Sequence, residues 1–249
     1  MEKKVIVVSG GMGGIGQSIV RKLASDGHVV HILYNSTPQD AVDSFLGTLT
    51  NPEMHTAHVC DICDINAVQN TISEIIRQSH HIDVCIHGAV SKLVRRRISL
   101  ITPDEFKQQF EVTAFGGLNL LQTVVAHMKR AGSGSIIGIT TRALEPESPP
   151  TTMAGYICAK HALRGILREF HADVSTNNIR VNAIAPDFVD TPLHNDLPPR
   201  ALEIIKSNRN TPLTTPDDIA TLCAYLCSGK ATKVTGQTFV IGDTNTHPL

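Results

Sequence analysis

Tyr156 and Lys160 are separated by three residues in the segment Tyr-Ile-Cys-Ala-Lys. On an α-helix this spacing places both side chains on one face. A nearby ammonium group favours the phenolate and so lowers the pKa of a tyrosine, which is about 10 in model compounds. A phenol tuned in this way can donate or accept a proton at neutral pH. Because such a pair is more often a solvated helix face, a catalytic role also requires a cofactor site elsewhere in the chain.

A glycine-rich turn near the start of the chain is the candidate for that cofactor site. It follows a continuous β-branched run at residues 5–8, which predicts a fully buried strand, and a helical pattern comes after it. Backbone N–H groups in such a turn can approach a pyrophosphate. A plain tight turn is the alternative, but five glycines in seven positions favour dinucleotide binding. The candidate residues are Gly10, Gly14, Ile15 and Gly16, in the spacing G-x-x-x-G-x-G rather than G-x-G-x-x-G.

The end of the second predicted strand, residues 28–34, indicates which nicotinamide cofactor the chain prefers. A carboxylate at this place would bind the free 2′-hydroxyl of NAD(H) and repel the 2′-phosphate of NADP(H). The residues here are Asn35 and Ser36, and Asp40 is the first acidic residue after the strand. The pattern therefore favours NADP(H) over NAD(H), although no Arg or Lys stands nearby to bind the phosphate. The alternative is an Asx-type turn that leads into a helix over residues 40–49.

Residues with useful chemistry also follow the other predicted strands. Strands over residues 82–86, 135–141, 179–185 and 238–241, and one that ends at residue 60, alternate with helical patterns. This alternation predicts an α/β fold, a single Rossmann-like doubly wound parallel sheet of about seven strands with helices on both faces. Ligands bind such sheets at the carboxyl ends of the strands. The residues expected at those ends are Asp61, Ile62, His87, Gly88, Ala89, Thr140, Thr141 and Pro186.

Helix and loop signals place the segments around this edge of the sheet. Thr102, Pro103 and the two acids that follow predict a helix start, and the helix is expected to run to about residue 129. Residues 186–199 are expected to form a long irregular loop, which is a suitable place for a substrate lid. Pro216 opens a further helix that should end near residue 227.

Two clusters allow other interpretations. His55, His58, Cys60 and Cys63 include a C-x-x-C pair, but no second cluster completes a set of four ligands, so we expect no metal site. The three arginines at residues 95–97 are more typical of a solvated loop, with anion binding as the alternative.

Composition narrows the class of protein and its partners. The 249 residues, 41% of them hydrophobic, fit a single domain over residues 1–249. A net charge of −1 gives no reason to expect a nucleic acid as partner. No apolar run approaches the length of a membrane span, so no membrane partner is expected. Six cysteines without the spacing of a small disulfide-rich domain favour reduced thiols and a cytoplasmic location.

These motifs resemble the short-chain dehydrogenase/reductase family over essentially the whole chain. Residues 9–16 are similar to its T-G-x-x-x-G-I-G turn, and residues 179–186 to its I-R-V-N-A-I-A-P-G segment. Tyr156 and Lys160 match its Y-x-x-x-K pair. The resemblance implies that Asp61 contacts the adenine and that Val189 and Thr191 contact the nicotinamide carboxamide. The glycine turn is most similar to that of 3-oxoacyl and acetoacetyl-CoA reductases.

The chain also departs from the family pattern. The sequence His-Gly-Ala-Val at residues 87–90 stands where the family has N-N-A-G, and Asp187 replaces the glycine that follows Pro186. Gly-Asp-Thr at residues 242–244 stands for the usual D-G-G, and the segment between Thr141 and Tyr156 is longer than is usual in the family.

Two departures fall on catalytic positions. Thr141 aligns with the family's catalytic serine and can still donate a hydroxyl hydrogen bond, but its added methyl group restricts the rotamers. Thr113 aligns with the catalytic asparagine, whose amide shapes a water relay to the lysine in the family. Because Thr113 has no amide, the resupply of protons through that relay is expected to differ here.

The resemblance implies an NAD(P)(H)-dependent oxidoreductase that interconverts a small-molecule carbonyl compound and an alcohol by hydride transfer. Tyr156 would protonate the developing alkoxide, and Lys160 would hold the nicotinamide ribose and lower the pKa of Tyr156. Thr141 would orient the carbonyl oxygen. The alternative is a cofactor-binding or regulatory protein on the same fold with little or no turnover. The family resemblance further implies a homo-oligomer, either a tetramer or a dimer.

Overall fold

The structure is a computed structural model that describes residues 2–144, 152–207, 209 and 211–242. Within these residues, all strand pairs are parallel and belong to one sheet. The strands are β1 (Val5–Ser9), β2 (Val29–Tyr34), β3 (Thr56–Val59), β4 (Val84–His87), β5 (Gly134–Ile139), β6 (Ile179–Pro186) and β7 (Thr238–Ile241).

The seven strands lie in the order β3-β2-β1-β4-β5-β6-β7. The chain therefore builds the sheet outward from β1 in one direction and then outward from β4 in the other. The crevice between β1 and β4 is the point where the strand order reverses, and ligands bind doubly wound sheets at such a point. This arrangement confirms the predicted α/β fold.

Helices cover both faces of the sheet. Those of the described chain are α1 (Gly14–Ser25), α2 (Gln39–Gly47), α3 (Ile65–Ser79), α4 (Pro103–Phe110), α5 (Gly117–Ala131), α6 (Ala154–Asp173), α7 (Pro199–Ser207) and α8 (Pro216–Cys227). No helix among the described residues combines the length and apolar content that a membrane span requires.

Two apolar cores lie on opposite sides of the sheet, because side chains alternate between the faces along each strand. Ile6 and Val8 of β1 pack with α1 and α8 in one core, whereas Val7 packs with α3, α5 and α6 in the other. Every residue of β1 is buried, as expected for a central parallel strand. The sheet is thus a rigid frame that fixes the positions of the strand ends.

The helix predicted over residues 102–129 is wrong in one respect, because it is interrupted. The predicted start is correct, with the Thr102 hydroxyl accepting from the Glu105 N–H and the Glu105 carboxylate accepting from the Thr102 N–H. A π-helical turn, Glu111–Gly116, then separates α4 from α5. A Cβ atom on Gly116 would lie 2.7 Å from the Ile62 side chain, so the backbone closely approaches the segment that follows β3. Turns of this kind often occur at functional sites.

The segment after β6 is more ordered than an irregular loop. It contains a 3₁₀ turn, Pro192–His194, and leads into α7, which the sequence pattern did not predict. Two other expectations lie outside the described residues. These are most of the lengthened segment before Tyr156, at residues 145–151, and the altered tail at residues 243–249.

Candidate active site

The glycine turn leaves the start of α1 open toward the crevice. The N-terminus of α1 has no side-chain cap and no acidic residue in its first turn. Gly10 has a φ of +71°, and a Cβ atom there would lie 2.7 Å from the backbone nitrogen of Ala89. A Cβ atom on Gly14 would lie 2.9 Å from the Cβ of Thr191. These residues fit a dinucleotide, because the N–H groups and the dipole of the helix start point to where a pyrophosphate could bind. Ile15 and Gly16 belong to the first turn of this helix.

The ends of β2 and β3 carry the residues expected to meet the adenosine. Asn35 and Ser36 are exposed directly after β2, and Asp61 is exposed after β3. The Asp61 carboxylate accepts a hydrogen bond of 2.9 Å from the backbone N–H of Cys63, which fixes its position. The Ile62 side chain is buried and packs against the π-helical turn rather than facing solvent.

The His87 side chain, at the end of β4, links the glycine turn to the π-helical turn. It is fully buried, with Nε2 3.1 Å from the Thr113 carbonyl oxygen and Nδ1 2.8 Å from the Ser9 hydroxyl. Because a carbonyl only accepts, Nε2 carries the proton and the Ser9 hydroxyl donates to Nδ1. Burial and the charge of Lys160 lower the pKa of His87 to about 4, so the ring is neutral. Gly117 leaves room for the His87 ring, since a Cβ atom on residue 117 would lie 2.8 Å from Nε2 of that ring.

Gly88 and Ala89 continue the chain from His87 along the crevice. Both are half-buried. The Gly88 N–H donates a hydrogen bond of 3.1 Å to the Ser9 carbonyl, which holds this segment against the glycine turn. The two segments predicted to bind the cofactor are therefore direct neighbours.

Tyr156 and Lys160 lie one turn apart on α6, and both are buried. The ammonium of Lys160 donates a hydrogen bond of 2.6 Å to the Ile139 carbonyl and lies 5.8 Å from the centroid of the Tyr156 ring. Burial raises the pKa of Tyr156 to about 12, an effect offset in part by hydrogen bonding with Thr141. Burial also lowers the pKa of Lys160 to about 7. The expectation of a lowered tyrosine pKa is therefore wrong for this structure, because burial raises the pKa of the phenol by more than its hydrogen bond with Thr141 lowers it.

The two threonines after β5 have different surroundings. Thr140 is buried, and its hydroxyl donates to the Ile184 carbonyl over 3.0 Å. Thr141 is half-buried and accepts a hydrogen bond of 3.3 Å from the backbone N–H of Ala143. Since Thr141 is also the hydrogen-bond partner of Tyr156, it is the threonine placed to act with the phenol.

The end of β6 closes the other side of the crevice. Pro186 is the last residue of the strand, and Val189 is buried and pairs with Thr214. Thr191 lies against Gly14 of the glycine turn. The predicted nicotinamide contacts and the predicted pyrophosphate site are thus brought together, although they are far apart in sequence.

Comparison with known proteins identifies the family. Residues 10–243 match the family model described as enoyl-(acyl carrier protein) reductase, which is nearly the whole chain. The chain belongs to the short-chain dehydrogenase/reductase family. It is 27% identical to dehydrogenase/reductase SDR family member 4 of Mus musculus over 246 residues, which cover 97% of this chain and 87% of that protein. The protein is accordingly an NAD(P)-dependent oxidoreductase, and the interconversion of a carbonyl compound and an alcohol fits the family.

Solved structures of other oxidoreductases share the fold at lower identity. The 3-ketoacyl-(acyl-carrier-protein) reductase from Brucella melitensis complexed with NADH superposes with a TM-score of 0.86, at 21% identity over 97% of each chain. A gluconate 5-dehydrogenase from Burkholderia cenocepacia in complex with NADP and tartrate superposes with a TM-score of 0.88, at 23% identity over 97% of this chain and 94% of the other.

Asp187, where the short-chain dehydrogenase/reductase family has glycine, forms an ion cluster that the sequence did not predict. One carboxylate oxygen accepts from Arg142 over 2.9 Å and from Arg209 over 2.7 Å, and the other accepts from the Phe188 N–H over 2.7 Å. Burial acts to raise the pKa of Asp187, but these hydrogen bonds and the two guanidinium charges hold it below its usual value. The cluster ties the segments after β5 and β6 to the segment before α8. Its one sign in the sequence is Asp187 itself, an acidic residue where the family has glycine.

The histidines near β3 serve the sheet rather than the crevice. His58 Nε2 lies 3.2 Å from Nδ1 of His31, whose other ring nitrogen lies 2.8 Å from the Ser79 hydroxyl. The His55 ring accepts from the backbone N–H of Val30. Burial, with the neighbouring histidines, lowers the pKa of His31 to about 4. In the described ranges, no group of three or more His, Cys, Asp or Glu side chains is arranged to hold a metal ion.

The His87 bonds generate a prediction. His87→Leu should lower the free energy of unfolding by about 2–4 kcal/mol, because it leaves the buried Ser9 hydroxyl and Thr113 carbonyl without their partner. His87→Gln carries an amide that can accept from Ser9 and donate to Thr113, so it should recover part of the loss. Urea denaturation of both variants measures the change. Equal losses in the two variants would show that ring packing, and not hydrogen bonding, is what the site requires.

Proposed function

We propose that the protein reduces a small-molecule carbonyl compound, or oxidises the corresponding alcohol, in the crevice that contains Tyr156. The observation that carries this proposal is the convergence of a buried phenol, a buried ammonium and the Thr141 hydroxyl at the end of β5. Lys160 also acts electrostatically on His87, and His87 contacts Ser9 of the glycine turn. The proposed catalytic groups therefore adjoin the proposed cofactor site.

Tyr156 is the proposed proton donor for the carbonyl oxygen. A pKa of about 12 keeps the phenol protonated at neutral pH, which is the form that can give up a proton. The nicotinamide, when bound, supplies a hydride, one hydrogen nucleus with two electrons, for the carbonyl carbon. The proton from Tyr156 goes to the oxygen, so the carbonyl becomes an alcohol. Thr141 would hold that oxygen in place through its hydroxyl.

Lys160 is proposed to stabilise the phenolate that forms on Tyr156 and to hold the nicotinamide ribose. Its pKa of about 7 allows it to gain and lose a proton at neutral pH, which suits a group that returns protons to the tyrosine. The Ile139 carbonyl accepts a hydrogen bond from this side chain and so fixes the position of its nitrogen.

Thr113 is proposed to supply a water-binding hydroxyl in place of the family's asparagine amide. Its hydroxyl oxygen is buried and lacks a hydrogen-bond partner among the described residues. Buried polar groups in this state commonly bind an ordered water. Its carbonyl is already engaged by His87, so the hydroxyl is the group left to hold a water of the proton relay.

The function is tested by turnover of Tyr156→Phe. This change removes the proton donor but keeps the ring, so kcat should fall by about a hundredfold or more while cofactor affinity persists. A panel of ketones and aldehydes with NADPH and NADH, and of alcohols with the oxidised cofactors, provides the assay. Thr141→Ser is the matched control, because it keeps the hydroxyl beside Tyr156 and should retain activity. Unchanged turnover in Tyr156→Phe would remove this residue from the mechanism.

We further propose that NADP(H) is preferred over NAD(H). Asn35 and Ser36 are exposed at the end of β2, where a carboxylate would repel a 2′-phosphate, and the first acid after them is Asp40. Asp61, at the end of β3, is the proposed contact to the adenine. Both solved relatives above carry a nicotinamide cofactor, NADH in one and NADP in the other, so relatives alone do not choose between them.

Fluorescence titration should show tighter binding of NADPH than of NADH. Asn35→Asp introduces the missing carboxylate and should shift the preference toward NADH, because the acid accepts from the ribose hydroxyl and repels the phosphate. Ser36→Ala is a suitable control, since it adds no charge at the same strand end. Tighter binding of NADH by the unchanged protein would reverse the proposed preference.

The chain is also proposed to act as one cytoplasmic domain that forms a homo-oligomer. The cysteines of the described residues are free thiols, which agrees with a reducing compartment. Phe115 and Val240 are 55% and 42% exposed, and they lie at the π-helical turn and on the edge strand β7. Large apolar side chains on an unpaired edge and on a helix surface are typical of association surfaces.

Light scattering at micromolar concentration should report a dimer or a tetramer. Val240→Lys places a charge on the exposed edge of β7 and should weaken association there, since edge charges oppose strand-to-strand contact. Lys230→Gln, on the surface before β7, should leave the mass unchanged. A monomeric mass for the unchanged protein would contradict the proposal.

A further inference from the structure

A cavity of about 420 Å³ opens between the segment after β4 and the segment after β6. Leu93 from the first segment and Leu193 from the second face this cavity, and both belong to the apolar cluster that contains Tyr156. The two leucines therefore link the cavity to the apolar cluster in which the proposed proton donor is buried. The remaining lining residues are Lys92, Pro192, Asn195 and Asp196.

The rim of the cavity is held in place by polar contacts. The Gln109 amide donates to the Ser91 hydroxyl and to the Lys92 carbonyl, each over 2.8 Å, which fixes the backbone beside Leu93. Because Gln109 is itself buried in α4, the position of Lys92 depends on a rigid element and not only on a surface loop.

The charge of Asp196 is offset by Arg95, which comes from the opposite segment of the cavity wall. The Arg95 guanidinium donates to the Asp196 carboxylate over 2.8 Å and to Nδ1 of His194 over 2.9 Å. These contacts join the two segments that form the cavity. They also leave the lining acid paired, so it opposes an anionic ligand less than a free carboxylate would.

Lys92 supplies the cationic character of the lining. Its side chain is exposed, and it makes no ion pair with any residue that the structure describes. The arginines at residues 95–97 follow directly, and of these Arg96 pairs with Glu105 over 3.4 Å. Because Arg95 offsets the charge of Asp196, Lys92 leaves a net positive charge at the lining. A positive rim attracts anions and raises their local concentration.

We propose that the substrate is an aliphatic oxo acid whose hydrocarbon part lies between Leu93 and Leu193 and whose carboxylate binds Lys92. The proposal rests on the proposed function and names the substrate class of the same site. The cavity has Leu93 and Leu193 on the side of the Tyr156 cluster and Lys92 elsewhere in its lining, so it suits a molecule with a carbonyl at one end and an anion at the other. The carboxylate takes no part in hydride transfer.

The test compares oxo acids with methyl ketones of matched length, for example 5-oxohexanoate with 2-hexanone, by oxidation of NADPH at low ionic strength. The acid should have the higher kcat/KM. Lys92→Gln should reduce kcat/KM for the acid by about fivefold, chiefly through KM, and leave the ketone unchanged, because an ion pair on an exposed lysine is worth about this factor. Lys92→Glu should reduce it by about twentyfold, since repulsion replaces attraction. Added salt should narrow both differences.

Lys233→Gln is the matched control. Lys233 is exposed ahead of β7, at the amino ends of the strands and opposite the cavity. Its loss should therefore leave kcat/KM unchanged for both the acid and the ketone. Equal kcat/KM for acid and ketone, or a preference that persists in Lys92→Gln, would overturn the proposal. Faster turnover of a phosphorylated ketone such as dihydroxyacetone phosphate would also overturn it, because the anion would then be a phosphate ester.

Binding separates this proposal from the proposed function. Hexanoate resembles the acid but has no carbonyl to reduce, and its effect on the fluorescence of bound NADPH reports affinity without turnover. If no carbonyl is reduced, but hexanoate binds the unchanged protein and does not bind Lys92→Gln, the proposed function fails and the anion site stands. If carbonyls are reduced and hexanoate binds both proteins equally, the anion site fails alone.

Discussion

The exclusion of water from the crevice is the constraint on which the site depends. It raises the pKa of Tyr156 to about 12, and it lowers that of Lys160 to about 7 and that of His87 to about 4. All three shifts favour the neutral form, as desolvation requires. The phenol therefore keeps the proton that it must donate, and the imidazole keeps a donor for the Thr113 carbonyl. A more exposed site would return the pKa of Lys160 toward its ordinary value and keep the ammonium charged at neutral pH.

The parallel sheet makes this buried site possible because it draws on many segments of the chain. Each segment therefore has to supply only a few side chains. Each strand end contributes one or two residues, and the glycine turn lets backbones meet where side chains would collide. Gly10 lies against Ala89, and Gly14 against Thr191. The helices on both faces then bury the last residues of β1, β2, β4, β5 and β6. The fold thus brings together the proposed catalytic and binding residues from distant segments, while each segment remains an ordinary strand and turn.

The features that could be predicted from the sequence are those that depend on residues close together in the chain. The β-branched run of β1, the glycine turn and the Tyr156–Lys160 pair all follow from neighbouring residues and their spacing. The π-helical turn was missed, and the contact that accompanies it, between Gly116 and Ile62, joins segments far apart in the chain that local patterns do not relate. The Arg142–Asp187 ion pair was missed for the same reason. The direction of the tyrosine pKa depends on burial, which spacing alone does not reveal.

Two positions that depart from the family pattern are joined by one hydrogen bond. Position 87 has a histidine and position 113 a threonine where the family has asparagines, and in the structure His87 Nε2 donates to the Thr113 carbonyl. The imidazole reaches from β4 to the π-helical turn and fixes the backbone that presents the Thr113 side chain. Because the ring is neutral and buried, it holds this geometry without adding charge beside Lys160, and so the shifted lysine pKa is preserved.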